Sequence, residues 1–336
     1  MLPDLALTNI SVDPISFLYE NKIEVDVLRL DKISPVISGN KWFKLRYYLE
    51  EAKRQHKKSI LTFGGAWSNH IIATAAICKM QGLNSTGIIR GEEPKKLSFT
   101  LSYARELGMQ LVFISRSDYQ QKKIPATLQT DNYYIINEGG YGGAGAKGAS
   151  TILDYCTKSY THYCCAVGTG TMMAGLINAV SQEQQVLGIS VMKNNTALEE
   201  MIQTLSPSPN YVSNLCLSQR DGDPAHKTLP GEDVDNPSQI VIDRKNRQST
   251  GQPGWQLIHD YHFGGYAKHQ PALFRFMNEF YQQTGIPSDF VYTGKLFYAI
   301  SDLISKNYFP PGSKLLLIHS GGLQGNISLP DRTLIF

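Results

Sequence analysis

Several short stretches of this chain hold residues whose types and spacing could do chemistry. In Ser38-Gly39-Asn40-Lys41-Trp42-Phe43-Lys44-Leu45, a lysine directly follows Gly-Asn. Downstream, Leu45, Tyr48, Leu49 and Ala52 fall at i, i+3, i+4 and i+7, which predicts a helix with Asn40 as N-cap and Lys41 in its first turn. Aligned backbone dipoles leave partial positive charge at that end of a helix. The lysine therefore either points into solvent or is needed there as a neutral amine.

A second stretch, Gly64-Gly65-Ala66-Trp67-Ser68-Asn69-His70, lies between a strand-like and a helix-like run. Ser68 and Asn69 sit near the coming helix N-terminus, where free N–H groups favour a carboxylate or phosphate, with ordinary capping as the bland alternative. A third, Val167-Gly168-Thr169-Gly170-Thr171-Met172, is either a phosphate cradle of glycine N–H groups and hydroxyls or a plain tight turn. It lacks the Gly-Lys-Ser/Thr of a P-loop and a full GxGxxG. Gly264-Gly265-Tyr266-Ala267-Lys268 pairs in style with Val291-Tyr292-Thr293-Gly294-Lys295, and His319-Ser320-Gly321-Gly322-Leu323 follows a further strand-like run. Asn137 to Gly143 is a glycine-dense turn.

Lys41 links these pieces. An amine condenses with an aldehyde only when unprotonated, so a lysine of ordinary pKa about 10.4 must be shifted down by desolvation or nearby positive potential. Its placement makes sense if Lys41 holds pyridoxal phosphate while the phosphate rests on Gly168, Thr169, Gly170 and Thr171.

The elements that must position these groups read as α/β. From about residue 59 strand-like runs (59–63, 86–90, 110–115, 162–167, 186–191, 314–319) alternate with helical ones (71–81, 97–107 and from near Met172), the grammar of βαβ units and parallel sheets. At 336 residues two lobes are expected. Hydrophobic residues make up 42% and charged residues 18%, enough for a core. A net charge of +3 with short, interspersed basic clusters implies no nucleic acid. Cys78, Cys156, Cys164, Cys165 and Cys216 form no CxxC, so neither a disulfide framework nor a metal site is expected. Without a basic-then-apolar leader or a run of about 18 apolar residues, the expected setting is the cytoplasm, with no membrane. Residues 204–254 are polar and rich in Pro, Gly, Asn, Asp and Ser, either a surface loop or a functional excursion.

SGNKWFKL, GGAWSNH, VGTGTMMAG, GGYAK, VYTGK and HSGGLQG, in this order across residues 38–325, resemble the fold-type II pyridoxal phosphate enzymes of the 1-aminocyclopropane-1-carboxylate deaminase and D-cysteine desulfhydrase family. The resemblance implies two open, twisted, mainly parallel α/β lobes with the cofactor in the cleft, a smaller lobe (46–150) inserted into a larger one (1–45 and 151–336), and a homodimer. It implies Lys41 as the cofactor-holding lysine, Asn69 as partner of the phenolic oxygen, and Gly168 to Thr171 as the phosphate site. Ser68, with the N–H groups of Asn69 and His70, would receive the substrate carboxylate, and by the same resemblance Ser68 would join in proton transfer. Tyr266, Tyr292 and Thr293 would line the substrate side, and Ser320 would face the pyridine nitrogen as a hydroxyl, leaving it largely unprotonated.

Two positions bear on the subclass. Ring-opening deaminases of this family have Glu where Thr293 stands and Leu where Ser320 stands; both positions here resemble D-cysteine desulfhydrase. The expectation is a lyase, deaminase or hydrolase acting on a small amino acid by β-elimination, with Lys41, Ser68, Tyr266 and Tyr292 catalytic, giving pyruvate, ammonia and sulfide from D-cysteine. The rivals are ring opening of 1-aminocyclopropane-1-carboxylate to 2-oxobutanoate and ammonia, and a non-catalytic pyridoxal phosphate carrier or regulator.

Overall fold

The alternation of apolar strands and helices is realised as two sheets. The computed structural model describes residues 5–18, 22–37, 39–206 and 254–336. Most of the polar segment 204–254 lies outside the described residues, as do Ser38 and Cys216.

The chain opens with β1 (Val12–Pro14), β2 (Glu24–Arg29) and α1 (Asn40–Arg54). It continues through β3 (Ser59–Gly64), α2 (Asn69–Met80), β4 (Asn84–Arg90), α3 (Phe99–Glu106), β5 (Met109–Ile114), α4 (Arg116–Gln120) and β6 (Tyr133–Ile136). Then come α5 (Gly143–Ser150), β7 (His162–Val167), α6 (Thr171–Ile177), β8 (Gln185–Ser190) and α7 (Leu198–Leu205). Beyond the undescribed stretch lie β9 (Gly254–Ile258), α8 (Pro271–Thr284), α9 (Thr293–Ser305) and β10 (Lys314–His319).

The larger sheet has the order β1-β2-β10-β7-β8-β9 and the smaller β5-β4-β3-β6. All pairings are parallel except β1 with β2. The smaller sheet uses residues 59–136 alone, and the larger uses chain from both sides of that stretch. Central strands such as β7, buried along its whole length, read as continuous apolar runs because helices cover both faces.

Helix α1 serves both cores. Its Phe43 packs among Leu28, Ala146, Met173 and Leu316, whereas Leu45, Tyr48, Leu49 and Ala52 pack with Ile72, Ile77 and Leu101. The first turn of α1, and Lys41 with it, is thereby set where the two cores meet. Asn40 is not the N-cap expected above. That place belongs to Gly39, and Asn40 is the first helical residue, its N–H donating to the Ser320 carbonyl at 3.2 Å.

Only glycine fits at position 39. Its φ is +63° and ψ −134°, and a Cβ there would stand 1.8 Å from the Ser320 carbonyl oxygen. Gly39→Ala is expected to cost about 1–3 kcal/mol through the backbone conformation alone, with a further loss from the forced retreat of Ser320. Thermal denaturation checks this, and an unaltered Tm would refute the close approach.

Candidate functional site

The amine of Lys41 donates to Oδ1 of Asn40 at 2.6 Å, and Nδ2 of the same Asn40 reaches Sδ of Met172 at 3.1 Å. One amide thus joins the lysine to the start of α6, just after the glycine-threonine loop. Burial draws the Lys41 ammonium down to about 8, against the opposing pull of Asp289. Desolvation is what makes this amine shed its proton easily.

Ser68 is the N-cap of α2, its hydroxyl accepting from the Ile71 N–H at 3.4 Å. The side chain of Asn69 leaves Oδ1 buried and without a partner, and its Nδ2 faces Gly322, where a Cβ would come within 2.6 Å. Asn69 from the smaller lobe and the turn after β10 are thus in direct contact. His70 is fully interior. The Thr62 hydroxyl spends its one hydrogen on the Ile136 carbonyl at 2.8 Å, so at 2.8 Å from His70 Nε2 it can only accept. His70 is therefore the Nε2–H tautomer, and its Nδ1 is a buried lone pair with no partner. Burial, then Lys41 and Lys44, push its pKa down to about 3, so its ring stays neutral.

In the loop Gly168 to Thr171, the hydroxyls of Thr169 and Thr171 are 3.2 Å apart, and Gly170 caps α6 with φ +77°. A residue missed in the sequence stands beside it. Lys44 is 5% exposed, its Nζ makes a 3.4 Å contact to the Gly139 carbonyl, and a Cβ on Gly139 would meet Thr169 at 2.7 Å. Burial and the charge of Lys41 hold its pKa well below the ordinary value. Lys41 and Lys44 lie three apart on one helix face, a spacing that could have flagged the second amine.

Tyr266 and Tyr292 stand edge to face, centroids 6.1 Å apart. Burial and their mutual interaction raise the pKa of Tyr292 far up, and burial raises that of Tyr266, so both stay protonated donors. The Tyr292 ring lies against Gly168, where a Cβ would be 3.2 Å away. Thr293 does not face outward. It is fully buried, and its hydroxyl donates to Asp289 Oδ1 at 2.7 Å while accepting from the Asp289 N–H at 2.8 Å. Asp289, also missed in the sequence, further accepts from the N–H groups of Val291, Tyr292 and Thr293 at 2.9–3.0 Å. Its carboxylate caps α9 and fixes the Tyr292 backbone; an acid four residues before Thr, ahead of an apolar helical run, was the available signal. Lys295 is spent likewise, its amine donating to the carbonyls of His262 and Gly265 at 2.8 Å and so pinning the loop that carries Tyr266.

Ser320, 7% exposed, follows β10. The next-door His319 donates from Nε2 to the Pro287 carbonyl at 2.7 Å and accepts the Gly321 N–H on Nδ1 at 3.2 Å. It ties the Ser320 turn to the segment leading to Asp289. Beside Trp67, Tyr266, Phe290 and Tyr292 a cavity of about 240 Å³ opens to the surface.

These residues suit pyridoxal phosphate. An amine that deprotonates near pH 8, a second buried amine with no carboxylate beside it among the described residues, and two hydroxyls on a glycine loop match an aldehyde and a phosphate dianion. Among the described residues no group of His, Cys, Asp or Glu is arranged to hold a metal ion, and no helix is long and apolar enough to cross a membrane.

The family described as "Pyridoxal-phosphate dependent enzyme" matches residues 20–321. A mitochondrial "Bifunctional D-cysteine desulfhydrase/1-aminocyclopropane-1-carboxylate deaminase" of Arabidopsis thaliana is 26% identical over 324 residues, 91% of this chain and 74% of its own. A "D-cysteine desulfhydrase" of Salmonella choleraesuis is 22% identical over 88% of this chain and 86% of its own. The crystal structure of an "ACC deaminase homologue" superposes with a TM-score of 0.71 at 23% identity, covering 97% of this chain and 93% of that one, and so shares the fold.

In cofactor-free protein, competitive acylation of Lys41 followed by peptide mapping should titrate with a midpoint near pH 8. Between that value and the ordinary lysine range the folded amine is neutral while the unfolded one is charged, so the unfolded state holds the extra proton and stability rises with pH across that window. Asp289→Asn should move the midpoint further down, since that carboxylate is the opposing pull. A midpoint at the ordinary value would contradict the burial of the amine.

Proposed function

The chain belongs to the pyridoxal-phosphate dependent enzyme family, and on that premise we propose that it catalyses β-elimination from a small β-substituted amino acid, with D-cysteine giving pyruvate, ammonia and sulfide. The observation that carries this is the engagement of Asp289. The Thr293 hydroxyl and three backbone N–H groups saturate that carboxylate, so the groups left to meet a substrate are hydroxyls and an amine, with no free acid among them. Such a set can take one proton from Cα and return one to a departing thiolate. The relatives named for D-cysteine desulfhydration support the reading. Hydrolase gives way to lyase, because the Cβ–S bond breaks by elimination and water enters only afterwards.

In this reading, bound pyridoxal phosphate supplies the electron sink for negative charge at Cα. Lys41, whose amine loses its proton near pH 8, would hold the cofactor and would accept the Cα proton. Ser68 and the N–H groups of Asn69 and His70 at the start of α2 receive the substrate carboxylate. Asn69 meets the phenolic oxygen and Ser320 the ring nitrogen. Gly168, Thr169, Gly170 and Thr171 hold the phosphate, with Lys44 regaining its proton beside that dianion. Tyr266 and Tyr292 face the leaving group, and Tyr292 donates to it. General acid help of this kind is worth about 10²–10⁴ in rate. Thr293 acts through Asp289 and Tyr292 as a positioning residue.

The lobe boundaries at 46 and 150, a homodimer and a cytoplasmic setting belong to the same proposal. The free cysteines among the described residues support a reducing environment. Ring opening of 1-aminocyclopropane-1-carboxylate is the second reading, favoured by the bifunctional plant relative.

Purified holoenzyme should form pyruvate and sulfide from D-cysteine faster than 2-oxobutanoate from the cyclopropane amino acid. Tyr292→Phe should lower kcat by about 10²-fold with KM little changed, and Lys41→Ala should abolish both turnover and the reducible lysine linkage. Production of 2-oxobutanoate alone would install the second reading. Absence of any turnover with cofactor still linked to Lys41 would favour a carrier or regulator.

A further inference from the structure

The cavity of about 240 Å³ at the mouth of the site has a composition that a bare thiol does not call for. Asn69 and Tyr292 connect it to the proposed chemistry, while Trp67, Tyr266, Phe290 and Leu329 make up its apolar walls. Among the described residues no lysine, arginine, aspartate or glutamate lines it. Trp67 and Tyr266 are 40% and 41% exposed. Large apolar side chains left open around a concavity mark a surface built to be covered.

The walls are also fixed in place. Lys295 pins the Tyr266 loop through the carbonyls of His262 and Gly265. His269, another lining residue, packs on Phe274 and Phe290 with centroids 4.5 and 5.7 Å away. On the opposite side Ala66 is held by the Ser98 hydroxyl, which caps α3 and donates to the Ala66 carbonyl, so Trp67 extends from an anchored loop. An apolar cavity of about 150 Å³ is known to suffice for benzene, so this one has room for an aromatic ring and a short linker. A sulfide leaving group would leave the walls wet.

We propose that the preferred substrates are cysteine thioethers whose sulfur carries an apolar or aromatic group, this group lying between Trp67 and Tyr266 and departing as a thiol; the proposal rests on the elimination reading above. The Cα–H and Cβ–S bonds break, the thiolate takes a proton from the Tyr292 side, and water hydrolyses the remaining enamine. The balance is R–S–CH2–CH(NH3+)–COO− plus water giving R–SH, pyruvate and ammonium, without an oxidant or reductant.

The test compares S-phenylcysteine with cysteine, each as both enantiomers, on holoenzyme, reading thiol and pyruvate together. In parallel, calorimetry compares homophenylalanine, which has CH2 in place of sulfur and cannot eliminate, with 2-aminobutanoate, which lacks the ring. S-Phenylcysteine is expected to exceed cysteine in kcat/KM by about tenfold or more, and homophenylalanine to bind correspondingly tighter than 2-aminobutanoate. Trp67→Ala, at an exposed position where folding is not at stake, should shrink both ratios, chiefly through KM. If cysteine is the better substrate and homophenylalanine binds no tighter than 2-aminobutanoate, the proposal is overturned while elimination stands. If homophenylalanine binds tighter but nothing is eliminated, the cavity accepts apolar side chains and the elimination reading fails, taking the thioether assignment with it.

Discussion

The backbone contact between Gly39–Asn40 and Ser320 is the constraint on which the rest of the site depends. A carbonyl at the end of the central strand β10 accepts the first N–H of α1, across a gap that admits no side chain. Three consequences share that contact. Lys41 is fixed one residue on, Ser320 is presented close to it, and the turn to Gly322 is delivered against Asn69 at the head of α2. The larger sheet, the smaller lobe and the helix between them are thus registered on one another by a few backbone atoms, which do not drift as side chains do.

Around that anchor the electrostatics follow from burial. Two amines, Lys41 and Lys44, are buried close together with no ion pair among the described residues; burial lowers both pKa values and, with their charges, keeps His70 neutral. The carboxylate that could have neutralised them, Asp289, is saturated by donors from its own segment. The result, among the described residues, is a pocket short of negative charge.

Much of this was legible in the sequence, and the exceptions have physical causes. Strands buried on both faces announce themselves as apolar runs, so β3, β4, β7, β8 and β10 could be read directly, and the edge strand β5 kept enough apolar residues to be read with them. β2 could not, because Glu24, Asp26 and Arg29 interrupt it; inside the fold Asp26 is matched by the Tyr160 hydroxyl and Lys158, and Arg29 by Asp13 and Asp31. β6 is short and presents Ile135 to solvent. Asn40 carries a good capping side chain, yet Gly39 takes the cap because tertiary crowding at Ser320 outweighs local propensity. Lys44, Asp289 and Lys295 escaped notice for a common reason: a buried charged residue is spelled like a surface one, and only its neighbours in space reveal its task. Thr293 was read as facing substrate for the converse reason, since its position beside Tyr292 in the chain gives no hint that its hydroxyl turns inward.

The order of the larger sheet has a bearing on biogenesis. β10 sits between β2 and β7, though it is made last of the three and long after the smaller sheet has all its strands. A nascent chain can therefore complete the smaller lobe on the ribosome, but the larger one keeps an open slot at its centre until residues 314–319 emerge. Ser320 and Gly322 arrive with that final insertion. A polypeptide that lacks β10 therefore has an unfilled larger sheet and no Ser320 carbonyl for the first turn of α1.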